Sequence, residues 1–123
     1  MINKVTVDEF NEALSFVRSI YDDVKDNTVE SVTDGATYYL SDDRLSGVGV
    51  SVNGELIALF SKGSVRGNEL VKKAIESDAS HLNCFDNGLV EYYVKFGFRP
   101  YKRKPNWTQG EPDVVYMWRT VMG

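Results

Sequence analysis

The chain has 123 residues, a single cysteine and a formal net charge of −4. Those values exclude an internal disulfide framework and argue against a surface built mainly to neutralise nucleic-acid phosphates. The length suits one domain, residues 1–123, with a core that needs no staples. Residues 1–6 carry no apolar signal core, and no apolar run approaches the ~20 residues that cross a bilayer. The expectation is therefore a cytoplasmic protein without membrane contact.

Between residues 8 and 25, Phe10, Leu14, Val17, Ile20, Tyr21 and Val24 recur on one helical face, while Glu12, Arg18 and Asp22 face water. This spacing predicts one amphipathic helix, capped by Thr6 or Asp8. Residues 26–35 are polar and aperiodic, and read as a connector with a short strand or turn near Val29 to Val32. From Ala36 the period becomes that of strands. Thr37 to Leu40 is β-branched and aromatic, Ser41-Asp42-Asp43-Arg44 is a turn, and residues 47–52 alternate valine with small residues. Asn53-Gly54 is a hairpin signal. Leu56-Ile57-Ala58-Leu59-Phe60 is apolar on both faces, which predicts a central strand.

Ser61-Lys62-Gly63-Ser64-Val65-Arg66-Gly67 then leads into a helical run marked by Leu70, Val71, Ala74 and Ile75, and Leu82 to Phe85 reads as the next strand. Strand, glycine-bearing loop, helix and strand predict a right-handed βαβ step with parallel strands. The start of such a helix favours an anion, and Lys62 and Arg66 add charge there. Leu89, Val90, Tyr93 and Phe96 mark a further helix, with Asp86 or Asn87 as its cap, Gly97 as its stop and Phe98 packed back on its last turn.

Residues 110–117 fit a last strand. Arg99, Lys102, Arg103 and Lys104, interleaved with Tyr101 and Trp107, read as a solvated hairpin in preference to a nucleic-acid contact. One histidine, His81, and one cysteine, Cys84, without ligand spacing predict no metal site. Cys84 reads as a small core residue.

The run Tyr93-Val94-Lys95-Phe96-Gly97-Phe98 resembles the Tyr-x-Lys-x-Gly-Phe signature of the GNAT superfamily of N-acetyltransferases. The resemblance extends from about Ala36 to Val121. It implies an α/β fold with a mixed, mainly antiparallel sheet, a central parallel βαβ step and helices on both faces. The segment before Ala36 is short for this family, which suggests that the family's first strand is missing. The family's pyrophosphate motif, Arg/Gln-x-x-Gly-x-Gly/Ala, falls on Lys62, Val65 and Gly67. Only Gly67 matches in full; Val65 replaces a glycine, and Gly63 offers flexibility from a shifted position.

The resemblance implies acetyl-CoA as co-substrate, held along Leu59, Phe60, Ser61, Lys62, Gly63, Val65, Arg66 and Gly67. Asp86 stands where the family often has asparagine, with Asn87 beside it, and Tyr93 stands near the thioester sulfur. In the implied reaction an amine attacks the thioester carbonyl, a backbone amide near Phe60 or Ser61 stabilises the oxyanion, and Tyr93 protonates the departing thiolate. Glu55, Glu111 and Asp113 are candidate bases, Glu55 being the one set beside Tyr93 as catalytic. The amine acceptor, a small molecule or a protein, is unspecified.

Val65 and the short N-terminal segment support an alternative. In that reading the chain is a GNAT-shaped scaffold acting through a protein partner, as a phage structural or host-modulating factor would in the host cytoplasm. The last strand also presents an edge on which a homodimer could form.

Overall fold

A computed structural model describes residues 1–119; Val121, the far end of the expected resemblance, lies outside them. The chain divides into two units, Met1–Ala79 and a second beginning at Ser80.

The first unit runs β1 (Ile2–Val5), α1 (Val7–Ile20), α2 (Asp22–Asn27), β2 (Thr37–Ser41), β3 (Ser46–Val50), β4 (Leu56–Ser61) and α3 (Gly67–Glu76). Thr6 starts α1 with a capping box: the Glu9 amide donates to Thr6 Oγ1 at 3.2 Å, and the Thr6 amide donates to Glu9 Oε1 at 3.2 Å. The single helix expected over residues 8–25 breaks at Tyr21. That residue is extended (φ −116°, ψ 112°), closes α1 and opens α2. No strand forms over residues 29–32. The Asn11 side chain instead takes both backbone groups of Val32, accepting from its amide at 2.7 Å and donating to its carbonyl at 2.9 Å.

The strands form one antiparallel sheet in the order β1-β2-β3-β4. An N-terminal strand is thus present, contrary to expectation, with Ile2 opposite Ser41 and Val5 opposite Tyr38. Alternation along β2 assigns the two faces. Tyr38 and Leu40 join Phe10, Leu14, Val17 and Phe60 in the core under α1, where the Phe10 ring lies 4.8 Å from Tyr38 and 5.7 Å from Phe60. Tyr39 points the other way. Its hydroxyl is 2.7 Å from Ser77 Oγ and the Lys73 ammonium sits 5.4 Å over its ring, so α3 packs on the opposite face.

β4 carries the main irregularity. Gly47 pairs with Phe60 and Gly49 with Ile57, so Ala58 and Leu59 together oppose Val48, and Ala58 has φ 53°. This β-bulge changes the phase of the strand. Ile57 and Phe60 are three residues apart and would face opposite ways on a regular strand, yet both pack on the α1 core.

Two expectations about β4 are corrected here. It is the terminal strand of its sheet and not a central one, and the strand after α3 does not join that sheet. The crossover rule holds only when both strands share a ladder. A bulged strand bends and ends pairing, and β5 finds its partner in β7 instead. Every ladder among the described residues is antiparallel, and no parallel βαβ step exists.

The second unit contains β5 (His81–Phe85), α4 (Leu89–Val94), β6 (Arg99–Lys104) and β7 (Val114–Trp118), in the antiparallel sheet order β5-β7-β6. Gly88 caps α4 in the left-handed region (φ 105°), where Asp86 or Asn87 had been expected. The other end follows expectation. Gly97 (φ 92°) donates its amide to the Val94 carbonyl at 3.0 Å, Phe98 N donates to the Tyr93 carbonyl at 3.4 Å, and the fully buried Phe98 ring packs 5.9 Å from that of Tyr93. All of β6 is exposed. Cys84 is buried, and desolvation pushes its thiol up to about 11, so it stays protonated and inert at neutral pH.

Candidate functional site

In the first unit the candidate residues follow one another along β4 and the loop into α3. Leu59 lies in the bulge, and Phe60 is a core residue that is 3% exposed. Ser61 ends the strand and donates its hydroxyl to the Val65 carbonyl at 2.9 Å. Glu55 stands apart from them. It belongs to the hairpin before β4, where the Ser51 amide donates to its carbonyl and its own amide donates to Ser51 Oγ, both at 2.9 Å, and the six-residue strand places it roughly 20 Å from the loop.

The loop, residues 62–66, is tied down from within. Lys62 N donates to the Leu45 carbonyl at 2.9 Å, Gly63 N to Ser46 Oγ at 3.1 Å, Ser64 N to Asp43 Oδ2 at 3.0 Å, and Arg66 N to Glu69 Oε2 at 3.2 Å. The Lys62 ammonium meets Asp23 at 2.7 Å and lies 5.1 Å over the Tyr21 ring, and this contact holds the Asp23 carboxyl below the usual range. Val65 is buried, with its carbonyl accepting also from Ser46 Oγ at 3.0 Å. Neither Val65 nor Gly63 adopts a left-handed backbone. Glycine at 63 serves space: a Cβ there would lie 2.3 Å from Asp43 Oδ2.

A diphosphate cradle needs backbone amides with no other partner and an available cation. The loop of this chain, as folded, does not fit that group on the amides of residues 62, 63, 64 and 66.

Asp43 was not singled out from sequence. It reaches the loop from the β2–β3 turn, 21 residues away, and no local pattern announces that contact. Its carboxyl is held at about 2, below 3.8, first by the Ser41 hydroxyl at 2.5 Å and then by the Ser64 and Leu45 amides. A carboxylate with a depressed folded pKa adds stability above its unfolded value and loses it as pH falls through the folded one. The thermal midpoint is therefore expected to fall between pH about 4 and about 2 by an increment that Asp43→Asn lacks. Melting curves of both proteins across that window check it, and identical pH profiles contradict it.

In the second unit Tyr93 sits on the core face of α4, 5% exposed, with its ring 5.3 Å from that of Tyr92. Burial, then the neighbouring Cys84 and Tyr92, raise its pKa, so the phenol keeps its proton at neutral pH. Tyr92 Oη is buried without a hydrogen-bond partner among the described residues. Asp86 accepts from the Arg103 guanidinium at 2.7 Å, and Arg103 also reaches Asp113 at 3.3 Å. Asn87 donates its amide to the Phe85 carbonyl at 2.9 Å. Among the described residues no cluster of three or more His, Cys, Asp or Glu side chains could hold a metal, and no helix is long and apolar enough to cross a membrane.

Solved structures that superpose on nearly the whole chain include an acyl-CoA N-acyltransferase and an acetyltransferase of the GNAT family. An acyl-CoA N-acyltransferase from Pseudomonas aeruginosa superposes with a TM-score of 0.63 at 14% identity, covering 98% of this chain and 99% of the other. Ard1 from Thermoplasma volcanium gives 0.60 at 16% identity over 100% and 98%. A GNAT-family acetyltransferase from Staphylococcus aureus Mu50 gives 0.51 at 15% identity over 97% and 98%. The chain has the GNAT fold. No protein-family model matches the sequence, and no curated protein sequence matches it. The GNAT fold is therefore shared at identities where side chains have diverged widely, and the chemistry has to be argued from the residues themselves.

Proposed function

We propose that this chain is an N-acyltransferase that moves an acyl group from a thioester, acetyl-CoA being the donor its fold suggests, to an amine. The observation that carries the reading is the β4 bulge. Ala58 holds a left-handed backbone that costs a non-glycine residue about 1–2 kcal/mol, and such strain persists mainly where function retains it. The bulge leaves one residue of β4 without a ladder partner. A backbone amide released in this way is a fixed donor for the oxygen of a carbonyl that becomes tetrahedral.

In the reaction the amine nitrogen forms a bond to the carbonyl carbon and releases a proton to solvent, while the carbon–sulfur bond breaks and the sulfur takes up a proton. Tyr93 is the group the sequence resemblance assigns to supply it, and its phenol carries a proton at neutral pH. The thioester contributes the activated acyl carbon, and β4 contributes the polarising amide. Glu55 is not retained as a base in this reading.

Tyr93→Phe removes only the hydroxyl and keeps the ring against Phe98. Turnover is expected to fall about 10²-fold with the far-UV circular dichroism unchanged. Unaltered turnover in the folded variant removes Tyr93 from the reaction.

The occupied loop amides favour a second reading, a GNAT-fold scaffold that acts through a protein partner. The two readings differ in whether thioester consumption depends on an added amine.

A further inference from the structure

In the loop between β4 and α3, the place where an anion would sit is taken by a side chain of the chain itself. Both oxygens of the Asp43 carboxylate are engaged. Oδ2 accepts from the Ser64 amide at 3.0 Å and from its hydroxyl at 3.2 Å, while Oδ1 accepts from the Leu45 amide at 3.0 Å and from Ser41 Oγ at 2.5 Å. The carboxylate lies so close to the Gly63 Cα that a methyl group there would overlap it.

The remaining attraction for an anion is reduced in the same way, although the Arg66 guanidinium forms no ion pair among the described residues. Lys62 is paired with Asp23 at 2.7 Å, and Glu69 accepts from the Arg66 amide at 3.2 Å in the first turn of α3. A second anion would have to displace Asp43 from its donors and then remain beside it, a like-charge arrangement that opposes binding.

We infer that Asp43 is the built-in anion of the β4–α3 loop, which closes the loop to a diphosphate, so that an acyl donor is selected through its thioester arm and not through its nucleotide. The first half stands on the loop alone. The second half rests on the acyl-transfer reading and narrows the donor class to thioesters of a pantetheine-type arm, whatever that arm is attached to.

The first half is tested without any reaction. Amide signals of Gly63 and Ser64 are followed by nuclear magnetic resonance while inorganic pyrophosphate is added to the wild-type protein and to Asp43→Asn, which removes the charge and keeps one side-chain oxygen, enough for one of the two donor pairs. The wild-type signals are expected to show no saturable shift up to about 10 mM, and the variant is expected to bind at least about tenfold more tightly. Saturable wild-type binding with Kd below about 1 mM overturns the inference, as does a folded variant that gains no affinity. If the variant does not fold, the wild-type titration decides.

The second half is tested by comparing acetyl-CoA with S-acetylpantetheine as donors. Their kcat/KM values are expected to agree within about threefold; a preference of about 30-fold or more for acetyl-CoA overturns selection by the arm. Absence of turnover with both thioesters refutes the acyl-transfer reading and selection by the arm with it, while the pyrophosphate titration still decides the role of Asp43.

Discussion

Deleting Ala58 is expected to lower acyl transfer by about 10²–10³-fold, the cost of removing one oxyanion donor from a preorganised site. The deletion returns β4 to one-to-one pairing with β3, since Leu59 alone then opposes Val48. It also keeps Ile57 and Phe60 on one face, because without the inserted residue they stand two positions apart. The α1 core should therefore survive while the released amide is drawn back into the ladder. Kinetics of thiol release, read beside the circular dichroism of the variant, check this. A folded deletion variant with wild-type turnover would show that the bulge has no part in the chemistry.

The second large effect concerns stability. Phe10 is fully buried between Tyr38 and Phe60, with ring centroids 4.8 and 5.7 Å away, and it belongs to the cluster that joins α1 to its sheet. Phe10→Ala removes that ring and leaves a cavity that the pleated backbone beneath it can fill only in part, so a loss of about 3–5 kcal/mol is expected. In urea unfolding this appears as a lower midpoint with an unchanged slope. A loss below about 1 kcal/mol would mean that the ring cluster does not hold the unit together.

Much of the frame is legible in the residues. The stripe from Phe10 to Val17 identifies α1, Thr6 and Asp8 are the two caps read for its start and Thr6 takes the role, and Gly97 with Phe98 identifies the stop after α4, because each is a local pattern with a local cause. What the sequence hides is set by distant pairing. Residues 2–5 show no clear period and become a strand only because β2 offers them a ladder. The apolar run of β4 conceals the bulge, since Ala58 looks like any small residue until the register with Gly47 and Gly49 is known.

Those two glycines are the best available hint. A Cβ on Gly47 would meet the Tyr39 carbonyl at 2.9 Å, and one on Gly49 would meet the Tyr38 ring at 2.8 Å, so β3 is crowded where β4 is irregular. The failed βαβ expectation has a similar origin. Strand-loop-helix-strand grammar gives the order of elements and says nothing of which ladder the second strand enters, and the antiparallel partner β7 lies far along the chain. For the candidate site, buried Tyr93 sits in the helix read for it and Gly67, read as the last residue of the loop, opens α3, while the reach of Asp43 from the β2–β3 turn into the loop was beyond any reading of spacing.

The most direct test is amine-dependent acyl transfer by the purified chain. An acetyl thioester, supplied both as acetyl-CoA and as S-acetylpantetheine, is mixed with a panel of primary amines and peptide lysines, and free thiol is followed together with the mass of the amines. Thiol release that requires an amine, yields the N-acetyl product and disappears on deletion of Ala58 is the predicted result. Thiol release no faster than in buffer with every amine, from a folded protein, would contradict acyl transfer and leave the GNAT fold serving as a scaffold.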